Sequence, residues 1–329
     1  MTEALLEYTL FLLKTVTLVA AITFVAGLFV NISRRNREAE GLKVTNLNSR
    51  FRNAADGLRR ALMPKGERKQ LAKQRKQEAK AAQGRRRKRV FVLDFRGDIR
   101  ASGTASLREE VSAVLAVAES GDEVLVRLEN AGGLVHEHGL AASQLVRVKD
   151  RGIPLTVAVD KVAASGGYLM ACVADRIVAA PFAVVGSIGV LAQIPNFRRM
   201  LDERGVTVEQ IKAGRFKRTV SMFGEVTDED RDKLREELED VHALFQAMVA
   251  KHRPALDLER VATGEHWYGS RALELGLVDE IGTSDDWLTR LVDEADAWKV
   301  EWRGHKRLME KLATAMEEGR LGGFLPRWK

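Results

Sequence analysis

Cysteine is almost absent from this chain of 329 residues, and the shortage excludes one class of protein. The single Cys172 cannot form an intrachain disulfide, so the fold is not a small disulfide-stapled scaffold. The shortage does not choose a compartment, because a disulfide-free domain is stable on either side of a membrane. Hydrophobic residues make up 45% of the chain and charged residues 30%. This balance fits a globular enzyme and excludes disordered and collagen-like classes.

Acidic residues are scarce in one segment only. Residues 31–90 contain 20 Lys+Arg and 5 Asp+Glu, a net charge of +15, whereas the rest of the chain contains 33 Lys+Arg and 41 Asp+Glu, a net charge of −8. The formal charge of +7 therefore comes from a basic collar, residues 31–90, on an otherwise acidic protein. Apart from Phe51 the collar lacks aromatic side chains that could stack on bases. We expect no nucleic-acid partner and expect the collar to be attracted to anionic lipid headgroups.

Long apolar runs are also absent, except near the N-terminus. Residues 9–30 are mostly apolar and long enough, at about 1.5 Å per residue, to cross a hydrocarbon core of about 30 Å. Lys14 lies near the start of the run, where its side chain can reach the headgroups. A cleaved signal peptide is the alternative, but the cationic n-region and the small-residue cleavage site are missing. The sequence predicts one uncleaved transmembrane anchor.

From Val90 onward, short β-branched runs alternate with helical patterns. Strands are predicted at 90–95, 123–129, 154–160 and 176–180, an extended piece at 184–190, and helices at 104–120, 139–150, 165–174, 227–252 (N-cap Thr227), 257–262 and 270–275. The alternation predicts parallel strands joined by right-handed crossovers, which is an α/β fold. No strand is expected in 298–329, only a weak helix near 305–318. The predicted organisation is an N-terminal tail (1–8), the anchor (9–30), a basic linker (31–89), a catalytic domain (90–297) and a C-terminal extension (298–329).

Two glycine-containing turns and one lysine are the candidates for chemistry. Gly132 and Gly133 follow the strand that ends at Glu129 and allow the backbone to turn its N–H groups outward; an ordinary βα turn is the alternative. Ser165 begins a helix, where backbone N–H groups lie near its Oγ, although Ser is also a common N-cap. Lys217 follows Phe216, against which its stem could be desolvated so that it acts as a base; a solvated lysine is the alternative.

Other kinds of catalytic pattern are missing. The G-x-S-x-G sequence of a nucleophile elbow is absent. His136 and His138 follow the Gly132-Gly133 turn and could reach the site, but only Glu137 lies near enough to orient them, so a Ser-His-Asp triad is disfavoured. No group has metal-ligand spacing, and we expect no metal and no other cofactor.

Five motifs in order carry a resemblance to a known family. They are Ala164-Ser165-Gly166-Gly167-Tyr168, Ala174-Asp175-Arg176-Ile177-Val178-Ala179, Gly186-Ser187-Ile188-Gly189-Val190, Gly214-x-x-Lys217 and Gly276-Leu277-Val278-Asp279-x-x-Gly282. The chain resembles the signal peptide peptidase A family over about residues 1–300. With an anchor, a basic linker and a single catalytic domain, it resembles the SohB branch of that family most closely.

The resemblance implies a ClpP/crotonase-like fold and a membrane-bound serine endopeptidase with a Ser-Lys dyad. By that resemblance Ser165 is the nucleophile, Lys217 is the general base, and the N–H groups of Gly133 and Gly166 form the oxyanion hole. The family commonly has Ser-Pro before the double glycine, where this chain has Asn130-Ala131. The resemblance also implies peptide or protein substrates and a homo-oligomer, in which one dyad can draw on neighbouring subunits.

Two other functions and the orientation in the membrane stay open at this stage. A crotonase-like acyl-CoA enzyme would use the same fold and leave Ser165 dispensable, and a catalytically silent membrane scaffold could assemble through the 227–252 helix. The resemblance implies a bacterial inner membrane location with the catalytic domain in the periplasm. Arg34, Arg35 and Arg37 favour a cytoplasmic domain by the positive-inside rule.

Overall fold

The computed structural model describes residues 8–20, 23, 41–64, 67–68, 73, 77 and 87–304. The chain forms two units, one comprising Met1–Lys43 and Trp302–Lys329 and the other Val44–Glu301. In the first unit, residues 8–20 are helical. Most of the second half of the predicted anchor lies outside the described residues, as does the predicted helix near 305–318. Within the described ranges, no helix is both long and apolar enough to cross a bilayer.

The larger unit is built around a seven-stranded sheet. Its strands, in spatial order, are β1 (Gly41–Asn46), β10 (Asp296–Arg303), β2 (Arg89–Arg96), β3 (Glu123–Glu129), β4 (Leu155–Val159), β6 (Arg176–Ala179) and β9 (Glu280–Ile281). Every pair from β10 to β9 is parallel, and β2 pairs with β3 from Val90↔Glu123 to Arg96↔Glu129. The predicted α/β fold with parallel strands is therefore confirmed.

A smaller sheet lies at the carboxyl ends of the central strands. It contains β5 (Val162–Ala164), β7 (Val184–Gly186) and β8 (His266–Tyr268), with β5 parallel and β8 antiparallel to β7. Asn130, the residue after β3, forms a parallel bridge with Ala163. The Asn130 N–H donates to the Val162 carbonyl (2.9 Å), and the Ala164 N–H donates to the Asn130 carbonyl (3.0 Å). These bonds bring the two glycine-containing turns together.

Helices cover both faces of the large sheet, although the short α5 (Arg198–Asp202) has no buried residue. They are α1 (Leu47–Leu62), α2 (Thr104–Val117), α3 (Val135–Asp150), α4 (Gly166–Ala171), α5 (Arg198–Asp202), α6 (Asp228–His252), α7 (Leu258–Val261), α8 (Gly269–Glu274) and α9 (Ser284–Glu294). Along β2, Phe91 and Leu93 face a cluster that includes residues of α2, α3 and α4, whereas Val90 and Val92 face a second cluster with Leu47 and Leu288. Burial on both faces explains why the central strands are continuous apolar runs.

The prediction that 298–329 contains no strand is wrong. Strand β10 runs through Asp296–Arg303 and pairs in parallel with β2. Its sequence lacks a clear apolar pattern because some of its polar side chains form ion pairs inside the fold. The Lys299 Nζ, for example, lies 2.8 Å from a carboxylate oxygen of Asp94. Sheet pairing outweighs the local pattern here, as β-propensity depends on neighbours.

Residues 44–62 of the basic collar belong to the larger unit. Asn48, at the start of α1, is 2% exposed. Its Nδ2 donates to the carbonyls of Val292 (2.8 Å) and Ala295 (2.7 Å), and its Oδ1 accepts from the Ala297 N–H (2.7 Å). Hydrogen bonds made by one buried polar side chain leave no apolar pattern in the sequence. The compact unit accordingly starts at Val44 and ends at Glu301, whereas the sequence pattern predicts a catalytic domain at 90–297.

Candidate active site

Ser165 lies at the junction between β5 and α4. Its backbone has φ 52° and ψ −120°, a conformation that non-glycine residues rarely adopt and that costs about 1–3 kcal/mol. The Ser165 N–H donates to the Gly186 carbonyl (2.8 Å), and the Leu169 N–H donates to the Ser165 carbonyl (3.0 Å). The hydroxyl makes no helix-capping hydrogen bond. Ser165 thus occupies the N-cap position without capping the helix through its side chain, and its hydroxyl is left available for chemistry.

The double glycine after Ser165 allows α4 to approach two other elements closely. A Cβ on Gly167 would lie 2.0 Å from the carbonyl oxygen of Asn130, and a Cβ on Gly166 would lie 2.4 Å from the Cγ of His138. Any side chain at either position would therefore move α4. The motif is a packing requirement that fixes where the Ser165 turn sits.

The Gly132-Gly133 turn lies in close contact with the Ser165 turn. Gly132 has φ +93°, and a Cβ there would lie 2.7 Å from the Cβ of Ser165 and 2.9 Å from the backbone nitrogen of Gly166. A Cβ on Gly133 would lie 2.2 Å from the Ile99 carbonyl oxygen, and the Leu134 N–H donates to that same oxygen (2.8 Å). Both glycines are thus required by close backbone approaches, and the turn lies beside the Ser165 side chain.

Two backbone donors remain without a protein acceptor beside Ser165. Within the part of the chain that the structure describes, neither the Gly133 N–H nor the Gly166 N–H makes a hydrogen bond. Both residues line the same cavity as Ser165. Unpaired backbone N–H groups beside a nucleophile are the donors that stabilise an oxyanion in acyl transfer.

The two histidines near the first turn have different surroundings. The His136 side chain is 78% exposed and lies 3.8 Å from Glu137. His138 is fully buried; its Nδ1 lies 2.9 Å from the Leu134 carbonyl oxygen and its Nε2 lies 3.2 Å from Oδ1 of Asn130. Both ring nitrogens of His138 are therefore engaged with atoms other than the Ser165 hydroxyl, which argues against a histidine base.

The only cysteine is not a competing nucleophile. Cys172 lies at the end of α4 and is fully buried. Burial raises the pKa of its thiol to about 12. Because the thiolate is the reactive form of cysteine, Cys172 is inert at neutral pH.

Ser165 opens into an apolar cavity of about 380 Å³. Its lining combines the backbone of the two turns with apolar side chains from α3, α4, α6 and the loop after β7, among them Val135, Ala142, Leu169, Val190, Val241, Leu244, Phe245 and Met248. The volume lies in the lower part of the range for ligand pockets, about 300–1,000 Å³. The cavity suits one or two apolar side chains of a bound chain.

Lys217 is not brought to this cavity. It lies in residues 205–226, where most side chains are exposed, and its own side chain is exposed. Lys217 is not among the described residues that line the cavity. The neighbouring Phe216 ring lies beneath the cations of Arg215 (5.0 Å) and Lys233 (5.3 Å). Of the four residues selected from the sequence, the structure brings together Ser165, Gly133 and Gly166.

Two parts of the site are not among the features predicted from the sequence. One is the cavity wall formed by α6, whose residues Val241, Leu244, Phe245 and Met248 follow the i, i+3, i+4, i+7 spacing of one helix face. That spacing was a usable signal. The other is the contact between Asn130 and His138, for which the sequence carried no signal, because it depends on how α3 folds back over the turn.

Comparisons with known proteins identify the family. Residues 3–145 match Peptidase family S49 N-terminal and residues 147–297 match Peptidase family S49. "Probable protease SohB" of Haemophilus influenzae is 46% identical over 331 residues, covering 96% of this chain and 94% of that protein. "Probable protease SohB" of Buchnera aphidicola subsp. Acyrthosiphon pisum is 44% identical over 315 residues, covering 95% of this chain and 94% of that protein.

More distant matches have related names. "Putative signal peptide peptidase SppA" of Enterococcus faecium is 30% identical, covering 63% of this chain and 59% of that protein. Among solved structures, a mutant of the "1510-N membrane-bound stomatin-specific protease" in complex with a substrate peptide is 12% identical with a TM-score of 0.40, covering 70% of this chain and 99% of that one, a likeness too low to carry an argument. The two family matches and the SohB relatives extend over nearly the whole sequence, and the chain belongs to peptidase family S49.

Proposed function

We propose that this peptidase is a serine endopeptidase in which Ser165 and Lys217 form a catalytic dyad. The Ser165 Oγ attacks the scissile carbonyl carbon while its proton passes to the Lys217 amine. The carbonyl oxygen becomes an oxyanion that accepts hydrogen bonds from the Gly133 and Gly166 N–H groups. Lys217 then returns the proton to the leaving amine, and water releases the acyl group by the reverse of these steps.

The strained Ser165 turn facing an apolar cavity carries this proposal. A serine at φ 52° is retained at a cost in stability, which is common at functional sites. Here it presents its hydroxyl beside two unpaired backbone donors. The ClpP/crotonase-like fold implied by the resemblance accommodates this arrangement, because the site lies where parallel strands end.

The cavity supports extended, largely apolar segments as substrates, such as released signal peptides or membrane-protein fragments. Its walls are mostly aliphatic and include Phe245 of α6. A β-strand-like substrate directs alternate side chains to one side, so one apolar side chain next to the scissile bond can fill the cavity. The word "protease" in the names of the SohB relatives agrees with a polypeptide substrate.

Lys217 is proposed to act from a neighbouring copy of the chain. In its own copy the side chain is exposed and outside the Ser165 cavity. Large apolar side chains are also exposed in the same segment and in the loop after β7, among them Ile211 at 94% and Leu191 at 81%. An apolar surface of this kind favours burial against another subunit. A homo-oligomer would cover that surface and bring one subunit's Lys217 to another's Ser165.

Membrane attachment completes the proposal. Residues 9–30 are proposed to anchor the chain once in the bacterial inner membrane, with the basic collar near anionic headgroups and the catalytic domain in the periplasm. The arginines at 34, 35 and 37 favour the opposite orientation. A reporter that is active on one side only, fused after Lys329, determines which orientation is adopted.

Mixing two inactive variants tests the dyad and its subunit origin together. Ser165→Ala and Lys217→Ala, each purified in detergent, should hydrolyse an apolar peptide at the background rate while melting as the wild type does. Mixed and reassembled, they should regain activity, because a Lys217→Ala subunit supplies Ser165 and its Ser165→Ala neighbour supplies Lys217. Activity in either single variant contradicts the dyad. No recovery on mixing, with inactive single variants, assigns the dyad to one subunit.

A further inference from the structure

Backbone hydrogen bonds fix the two ends of the turn that carries Gly133, at Asn130 and Leu134, but among the described residues they do not reach those between the two ends. Ala131 precedes the double glycine, where a proline would fix φ near −65°. Ala131 is exposed, and its N–H donates to no acceptor in the part of the chain that the structure describes. Gly132 and Gly133 are the most permissive residues for backbone conformation. A side chain is therefore needed to fix the middle of the turn, where Gly133 lines the cavity.

Asn130 supplies one side of that restraint. It is 1% exposed, and its Oδ1 accepts a hydrogen bond from the Gly132 N–H at 2.9 Å. Its Nδ2 lies 3.4 Å from the sulfur of Met170. Since the Gly132 N–H can only donate, the amide oxygen must face the turn, and this fixes which way the Asn130 amide points.

His138 holds Asn130 from the other side. Its Nε2 lies 3.2 Å from the same Oδ1, and its Nδ1 lies 2.9 Å from the Leu134 carbonyl oxygen. Both oxygens are acceptors, so the imidazole lies between two acceptors and can donate from Nε2 to Asn130. The imidazole is also close to the second turn, because a Cβ on Gly166 would meet its Cγ at 2.4 Å. The ring is thus packed between the turn that carries Gly133 and the residue that supplies the other unpaired N–H.

We propose that His138 is a positioning residue for the oxyanion hole. Through Asn130 it fixes the Gly132-Gly133 turn, and through contact with Gly166 it sets the spacing between the two backbone donors. It takes no proton from Ser165. This role replaces the rigidity that a proline at position 131 would give. The inference rests on the proposed function, since it assigns a role in stabilising the oxyanion.

Substitution of His138 should affect the chemical step more than substrate binding. His138→Leu removes the Nε2–H donor while retaining an apolar side chain in the buried position. We expect kcat to fall by about 10- to 100-fold, less than the 10²- to 10³-fold that follows complete loss of one oxyanion donor, and KM to change by less than about threefold. His138→Gln, which can still donate to Asn130, should retain most of the wild-type kcat.

A proline rescue distinguishes positioning from general stability. Ala131→Pro should cost little by itself, because Ala131 donates no described hydrogen bond and Asn130, bridged to Ala163, is extended, as the residue before a proline must be. In the His138→Leu background, Ala131→Pro should restore at least about fivefold in kcat. Gln144→Leu is the matched control, because Gln144 is a buried polar residue of α3 that is 6% exposed and contacts neither turn. It should lower Tm without lowering kcat.

The outcomes separate this inference from the proposed function. Wild-type kcat in His138→Leu, or a loss of kcat that Ala131→Pro does not reverse, overturns the positioning role, and so does an equal loss of kcat in the Gln144→Leu control. Peptidase activity that survives Ser165→Ala overturns the proposed function instead. If His138→Leu does not fold, Asn130→Ala removes the same hydrogen bond from its other end, and the same rescue by Ala131→Pro is expected; its absence there overturns the inference.

Discussion

The nucleophile junction, residues 163–170, and the lysine segment, residues 205–226, differ in how closely their own chain surrounds them. In the junction, six of the eight residues are buried, and Ser165 and Leu169 are half-buried. In the lysine segment, only Thr219 and Gly224 are buried. One half of the proposed dyad is therefore fixed by packing within the subunit, whereas the other half sits on a surface. Under the proposed dyad, each chain places its own serine and depends on assembly for the lysine.

The close backbone approaches in the junction predict the largest loss of stability on substitution. Gly167→Ala places a Cβ 2.0 Å from the Asn130 carbonyl oxygen, which has to move. We expect the free energy of unfolding to fall by about 3 kcal/mol, measured by denaturant titration, with loss of peptidase activity. Gly57→Ala is the control, since a Cβ there meets nothing within 4 Å and alanine favours helix by about 1 kcal/mol. Equal stability of the two variants contradicts the packing argument.

An ion pair near the junction predicts a smaller, pH-dependent effect. Arg253 donates two hydrogen bonds to Asp279 (2.7 and 2.8 Å), and the Ile177 N–H donates a third (2.7 Å). Burial raises the pKa of Asp279, but these hydrogen bonds outweigh burial and hold it below its ordinary value. Stability from Asp279 is therefore present above the unfolded pKa, about 3.9, and is lost as pH falls through the folded pKa.

Asp279→Asn should cost about 2 kcal/mol at pH 7, and the difference from the wild type should shrink as pH falls below about 4. Unfolding titrations at several pH values measure both. Glu274→Gln is the matched control, because the Glu274 and Arg271 side chains are 62% and 72% exposed and such pairs contribute about 0–1 kcal/mol. A constant difference between the wild type and Asp279→Asn down to about pH 2 rules out the linkage.

The strained backbone of Ser165 predicts that glycine is the more stable replacement at this position. The expected difference in the free energy of unfolding is smaller than the two losses above. Glycine adopts φ 52° without the Cβ penalty that alanine keeps. We expect Ser165→Gly to be more stable than Ser165→Ala by about 1 kcal/mol, with both inactive, as determined by thermal unfolding. The same pair of substitutions at Ser112, inside helix α2, should have the reverse order, because glycine is the poorer helix former. If alanine is the more stable residue at both positions, the strain at Ser165 is relieved elsewhere.

The two regions also show what sequence reasoning can reach. The Ser165-Gly166-Gly167 motif is predictable because a serine and a double glycine at the start of a helix form a short pattern, although the contacts that require the glycines come from Asn130 and His138. Thr227 was correctly predicted as the N-cap of α6; its Oγ1 accepts from the Asp230 N–H at 3.1 Å, and the Asp230 carboxylate accepts from the Thr227 N–H at 3.0 Å. The N-cap lies within a few residues of the helix it serves, so a short pattern specifies it.

Other features depend on contacts between distant parts of the chain, and short patterns do not reveal them. Asn48 clamps α1 onto residues far along the chain, with a sequence separation of 249 to Ala297. Strand β10 is identified by its partner β2 rather than by its own alternation. The hydrogen bond between His138 and Asn130 spans only eight positions, but it forms because α3 turns back over the strand end, which no local period encodes.

Substitution in the lysine segment is expected to change stability least. At Lys217 it should nevertheless abolish activity. The Lys217 side chain is exposed and lies outside the Ser165 cavity, so Lys217→Ala should change the free energy of unfolding by less than about 0.5 kcal/mol while abolishing peptide hydrolysis. Lys212→Ala, another exposed lysine of the same segment, is the matched control and should leave both unchanged. Sedimentation of Lys217→Ala should match that of the wild type, because the proposal assigns assembly to the apolar surface and proton transfer to the amine. A variant that is inactive because it no longer assembles would instead make Lys217 part of the subunit contact.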